Sequence, residues 1–243
     1  MQRWWLILFC CVVACQPKSR SLVLPLPQPM PVDSAVTVEA AVPDSVQQPV
    51  ITHLAKVKTT KGTFTIGLYG YDAPRTVYNF VRLANQGFYD RQHIHRIAKD
   101  FVIQFGDPKS RYRSRQEQWG SGGRSIWRVP FEDELNPATP SYRQGYQRGC
   151  VAMANRRIPN TNTSQVFICL RDLPDLPRKF TIFGRVVEGL EVVDSIAAVP
   201  IVPVLDSTDG RPQHPIRILQ IRARKAPNQK DFRFPKWVYR KPL

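Results

Sequence analysis

The chain has 243 residues, 42% of them hydrophobic, which fits one folded domain of roughly 150–180 residues with extensions and excludes a wholly disordered polypeptide. Lys and Arg number 35 against 19 Asp and Glu, a net charge of +16. Such a surface attracts anionic partners such as lipid head groups, envelope polymers, nucleic acid or acidic proteins, and charge alone does not choose among them.

The chain opens with Arg3 ahead of an apolar run from Trp4 to Val13, followed by the small residue Ala14. This is the pattern of a targeting segment. About ten apolar residues fall short of the ~20 that a membrane-spanning helix needs. Val12-Val13-Ala14-Cys15 is similar to the bacterial lipobox, which implies a signal peptide over 1–15 and acylation of Cys15. The competing reading is a plain secretory signal. Several acyl chains on one residue would anchor stably where a single chain would not. Gln16 after that cysteine mildly favours delivery to an outer membrane. Residues 16–50 hold seven prolines and no sustained period, and read as a semi-extended linker.

Folded structure is expected from about Leu54. Ala55–Thr60 and Thr63–Tyr69 read as strands around a turn at Lys61-Gly62, with Phe64, Ile66 and Leu68 on one face. Asp72-Ala73-Pro74 opens a helix, Asp72 as its cap. Val77, Phe80, Val81 and Ala84 recur at helical spacing, and Gly87 ends it. Strands follow at His93–Ile97, Val102–Phe105, Gly149–Ala154, Val166–Leu170 and Phe180–Val187, then a helix at Gly189–Ile196 and a closing strand at Ile216–Ala223. Many short strands and two separated helices point to a closed or nearly closed barrel capped by helices. Lys109–Arg128 and the tail from Arg222 are basic and carry interleaved aromatic residues. Cys150 and Cys169 fall on two of these strands, where a cross-strand disulfide is one outcome.

The order of short strings along the chain is distinctive: Gly87-Phe88-Tyr89-Asp90, Ile94-His95-Arg96, Phe101-Val102-Ile103-Gln104, Gly106-Asp107, Met153-Ala154-Asn155, Pro159-Asn160-Thr161-Asn162, Ser164-Gln165-Val166-Phe167-Ile168 and Phe183-Gly184-Arg185-Val186. Together they resemble the cyclophilin family of peptidyl-prolyl cis-trans isomerases over 54–223. The resemblance implies a mainly β fold, a closed eight-stranded antiparallel barrel with a helix at each end, leaving 224–243 as a basic aromatic tail. It implies Arg96 as the catalytic arginine and Gln104 as the group that bonds the substrate backbone. Phe101, Val102, Phe167, Leu176 and Phe180 would wall the proline pocket, and Ala154 and Asn155 would lie along the bound peptide.

That chemistry makes and breaks no covalent bond. Its obstacle is amide resonance, worth ~18–20 kcal/mol. It calls for no cofactor, metal, nucleotide or activated nucleophile, and the four histidines show no ligand spacing. The expected partners are proline-containing polypeptides, a membrane through the lipid anchor, and an anionic envelope surface; nucleic acid is not expected of an exported chain. Phe105-Gly106 in place of the family's double glycine sets a large ring beside the groove strand. Arg156-Arg157-Ile158 lengthens a groove-side link, Asp175 stands where some members carry tryptophan, and Pro177-Arg178 replaces a common Asp-Gly turn. The altered rim at Phe105 and Arg156–Ile158 motivates a second reading, a binding module that grips Pro-containing segments with little turnover. His95 reads as a packed residue rather than an acid or base, and Gln165 as structural or supporting.

Overall fold

The structure is a computed structural model that describes residues 47–156, 158–204 and 208–242. The leader, Cys15 and most of the Pro-rich linker lie outside the described residues.

The first hairpin forms as the alternation predicts. β1 (His53–Thr59) and β2 (Gly62–Leu68) pair in antiparallel register, Val57 opposite Phe64. Phe64, Ile66 and Leu68 are all buried. α1 (Pro74–Asn85) starts on its proline, whose missing N–H costs nothing in a first turn. Val77, Phe80, Val81 and Ala84 face the core.

The cap of α1 is not Asp72. The backbone N–H groups of Arg75 and Thr76 donate to the Glu134 carboxylate at 3.0 and 2.9 Å, while Asp72 accepts from the N–H of Ser141 at 2.8 Å. A residue 58 positions downstream in sequence does what the local pattern assigned to a neighbour.

The remaining elements are β3 (Arg96–Ala98), β4 (Val102–Phe105), the short α2 (Pro140–Gln144), β5 (Cys150–Met153), β6 (Val166–Cys169), β7 (Ile182–Glu188), α3 (Leu190–Ala198), β8 (Ile201–Pro203), β9 (Asp209–Pro212) and β10 (Ile218–Lys225). All pairings are antiparallel, in the order β10-β1-β2-β7-β5-β6-β4-β3-β9-β8.

This corrects the expected closed eight-stranded barrel: the described residues form ten strands in an unclosed ladder. The β8–β9 hairpin takes the outer edge of β3. Opposite the start of β10, the chain before β3 contributes one isolated bridge, His93 to Arg217, instead of a strand. That bridge is carried by the N–H groups of Ile94 and Ile218, which donate to the Ile216 and Gln92 carbonyls at 3.0 and 2.8 Å, while the His93 N–H faces the other way and donates to the Ser110 hydroxyl at 3.1 Å.

One apolar core fills the space between the strands, α1 and α3. Phe105 belongs to it, fully buried against Tyr89 with ring centroids 6.2 Å apart. The ring therefore points away from the groove, correcting the expectation drawn from Phe105-Gly106. Gly106 alone meets the backbone demand there. Its φ is +103°, and a Cβ would lie 2.1 Å from the Ser164 carbonyl oxygen.

Cys150 and Cys169 are buried free thiols in a smaller cluster with Val102 and Phe167. A hydrogen bond to Cys169, then burial, raises the Cys150 pKa.

Past β10 the tail folds back onto β1 and α1. Phe232 and Val238 are buried, Phe234 stacks on His53 at 5.3 Å, and the Arg75 guanidinium lies between Trp127 and Trp237, 5.3 and 5.1 Å from their ring centroids. Much of the aromatic character of the tail is thus spent on packing.

Candidate active site

Strand alternation decides what faces outward on β4. Ile103 and Phe105 enter the core, while Val102 and Gln104 turn to the other side. They open onto a groove of about 520 Å³ that is also lined by Arg96, Phe101, Ala154, Asn155, Phe167, Leu176 and Phe180. All nine residues singled out for catalysis or substrate binding therefore share one concavity. β3 brings Arg96, β4 and the turn before it bring Phe101, Val102 and Gln104, β6 brings Phe167, and the chain ends beyond β5 and before β7 bring the rest.

The apolar end of the groove is an aromatic box. Phe167 and Phe180 meet edge to face with centroids 5.5 Å apart, and Tyr146 packs behind both. The Tyr146 hydroxyl donates to the Phe180 carbonyl at 3.0 Å and accepts from the Phe180 N–H at 3.0 Å. Those bonds keep Phe180 out of β7, which begins at Ile182 rather than at Phe180. Burial pushes the Tyr146 hydroxyl up to about 12, so it stays protonated as that donor. Sequence reasoning missed Tyr146, which lies in no quoted motif.

The polar end is a relay of side chains. Arg96 Nη1 donates to Gln104 Oε1 at 3.2 Å, and Gln104 Nε2 donates to Gln165 Oε1 at 2.7 Å. Gln165 Nε2 donates in turn to the carbonyls of Gly120 and Gly122 at 2.8 and 2.5 Å. The loop carrying those carbonyls is tied down by the Asp107 carboxylate, which accepts from the N–H groups of Lys109, Gly120 and Gly122. The basic segment 109–128, whose role the sequence left open, thus supports the groove. Arg96 is also held by Asp209, from the Nε–H at 2.9 and 3.0 Å and from Nη2 at 2.5 Å. Asp209 was not anticipated, because the hairpin carrying it shows no strand signal.

His95 lies behind this relay, 6% exposed. Burial lowers its pKa to about 4, with Asp107 opposing that shift and Arg96 reinforcing it. It is neutral at pH 7. Among the described residues, no group of three or more His, Cys, Asp and Glu side chains is placed to hold a metal ion.

The groove rim differs in detail from the sequence picture. Asp175 is exposed and does not line the groove, whereas Asp133, Leu135, Pro177 and Lys179 do. Pro159 lines it as well. Asn155 Nδ2 donates to the Lys179 carbonyl at 2.9 Å. Ile158 is exposed.

An apolar slot beside a fixed guanidinium suits a proline ring whose flanking amide must twist. Comparison with known proteins agrees. The family model described as cyclophilin type peptidyl-prolyl cis-trans isomerase/CLD matches residues 54–223. A peptidyl-prolyl cis-trans isomerase of Arabidopsis thaliana is 42% identical over 164 residues, covering 68% of this chain and 89% of its own length. Peptidyl-prolyl cis-trans isomerase-like 1 of Neurospora crassa is 43% identical over 166 residues, covering 68% and 91%. The crystal structure of a cyclophilin type peptidyl-prolyl cis-trans isomerase of Cryptosporidium parvum, determined in the presence of the dipeptide Ala-Pro, superposes with a TM-score of 0.61 at 30% identity, covering 71% of this chain and 99% of that one. These relatives are eukaryotic. The chain belongs to the cyclophilin family and is a peptidyl-prolyl cis-trans isomerase.

Proposed function

We propose that this isomerase assists the folding of exported proteins, with Arg96 as its catalytic group. As the peptide bond twists, the prolyl nitrogen loses conjugation and becomes a better hydrogen-bond acceptor. A guanidinium held beside it binds that state more tightly than either planar ground state, and this difference is the rate enhancement. Arginine suits the task because it stays charged and offers rigidly arranged donors. Phe101, Val102, Phe167, Leu176 and Phe180 hold the proline ring, while Gln104, Ala154 and Asn155 align the flanking chain. The observation that carries this reading is the convergence of Arg96 and Gln104 with the Phe167–Phe180 box on one groove. With Phe105 turned into the core, the case for a binding module with little turnover loses one of its two supports.

The purified protein accelerates isomerisation of an Xaa-Pro tetrapeptide, and Arg96→Ala lowers kcat/KM by about 10²-fold or more, the size of one lost transition-state contact in a preorganised site. An unchanged rate removes Arg96 from the mechanism.

The export half of the proposal rests on the leader and on Cys15 within its lipobox-like run. In this reading acylated Cys15 anchors the enzyme facing the periplasm, most simply on the outer membrane. The basic surface adds attraction to anionic envelope components. Expression in a bacterial host with radiolabelled palmitate labels the wild type in the membrane fraction and leaves Cys15→Ser unlabelled. Equal labelling of both rejects the anchor.

A further inference from the structure

We propose that Asp209 is a positioning residue for the isomerase reaction, fixing the plane of the Arg96 guanidinium from the β8–β9 hairpin. This rests on the reading of Arg96 as the catalytic group.

An arginine side chain is long and flexible, so a guanidinium that must meet one nitrogen of a twisting amide needs two anchors to fix its plane. Arg96 has them on different edges. Its Nε–H and Nη2 grip the Asp209 carboxylate, and its Nη1 reaches Gln104 Oε1. Of the five N–H donors of a guanidinium, these bonds engage three and leave one on each terminal nitrogen for a substrate.

Strand geometry explains why this residue reaches. Asp209 pairs with Ala98 across the β3–β9 ladder. Arg96 lies two residues from Ala98 and so shares its face of β3, which makes Arg96 the diagonal neighbour of Asp209. The hairpin can close there because residue 210 is glycine: a Cβ would lie 2.1 Å from the Val202 carbonyl oxygen. The side chains of Arg96 and Asp209 are 36% and 35% exposed. The pair is therefore open to substrate rather than buried as a core ion pair, and such partly exposed pairs hold orientation more than they hold folds.

Orientation acts on the transition state and leaves the slot for the proline ring untouched. Asp209→Ala therefore lowers kcat about tenfold or more while KM stays within about twofold, since small misplacements of a catalytic group carry costs of this order. Asp209→Asn, which keeps one acceptor for Nε–H and loses the charge, falls between.

The deciding measurement is a double-mutant cycle with Arg96→Ala in the full chain, run at raised enzyme concentration so that the residual rate stands above the uncatalysed one. Asp209→Ala has no further effect on kcat in the Arg96→Ala background if it acts through the guanidinium. The same fold-loss in both backgrounds, or a wild-type kcat for Asp209→Ala, overturns the proposal. If Asp209→Ala does not fold, the same cycle with Asp209→Asn decides. An active Arg96→Ala enzyme is a separate result: it removes the catalytic assignment and the positioning role with it. An inactive Arg96→Ala enzyme beside a fully active Asp209→Ala enzyme removes the positioning role alone.

Discussion

Gln165 touches no groove-lining role of its own, yet it decides which way Gln104 faces. Its Oε1 takes the Gln104 amide and its Nε2 is fixed by two backbone carbonyls, so the carbonyl end of Gln104 is left to receive Arg96. An amide can be held in one sense only when its neighbour is itself held. Gln165→Leu frees the Gln104 amide to turn over. Its kcat/KM falls about tenfold, the equivalent of about 1.4 kcal/mol in the barrier. Wild-type kinetics for that variant would show that the relay is ornamental. His95 behind the relay is a packed imidazole rather than a proton carrier, because burial holds it neutral well below pH 7. The sequence located Arg96, Gln104 and Gln165 through their motifs. It could not show that they form one chain, because the contacts join β3, β4, β6 and the 109–128 loop.

The start of α1 shows the same division between local pattern and distant partner. Pro74 and the apolar spacing mark the helix from sequence, but its free N–H groups are satisfied by Glu134, whose carboxylate is largely withdrawn from water. Glu134→Ala leaves both donors unpaired and costs about 1–2 kcal/mol, the usual range for losing a cap. Asp72→Ala leaves the α1 cap intact, since that carboxylate serves Ser141. Urea denaturation of the two variants checks this, and a Glu134→Ala protein as stable as the wild type would remove Glu134 as the cap. Sequence reading missed the short α2 and, with more consequence for the site, the β8–β9 hairpin. Its strands have three and four residues, Pro203 and Pro212 interrupt the β pattern, and no alternation survives. It forms because the exposed edge of β3 offers backbone partners, with Ile97 opposite Gly210.

Acid should weaken the molecule as a whole through its buried imidazoles. The folded state holds His95 near pKa 4, against an ordinary 6.5, and His53 is lowered to about 4 by burial and Lys225. Below pH 6.5 the unfolded chain takes protons that the folded one refuses, so stability falls with pH and levels off near pH 4. The contribution of His95 is present in full above pH 6.5 and is roughly 3 kcal/mol, from about 1.36 kcal/mol per pKa step. Denaturation at pH 7 and pH 4.5 measures it, and His95→Asn flattens that part of the difference. A wild type equally stable at both values would refute the account.

The order of motifs from Gly87 to Val186 settled the family and the mainly β class, because each short string encodes a turn or a groove-facing strand that local physics makes recognisable. Alternation along β4 settled that Val102 and Gln104 share a face. What the sequence left open depends on contacts between residues far apart in the chain. The β8–β9 hairpin takes the edge of β3, and the chain before β3 meets the start of β10 in an isolated bridge rather than a strand, so the ladder ends open. The grip of Asp209 on Arg96 spans 113 positions in sequence. No local pattern encodes such a contact; it exists only once the sheet has brought the two strands side by side.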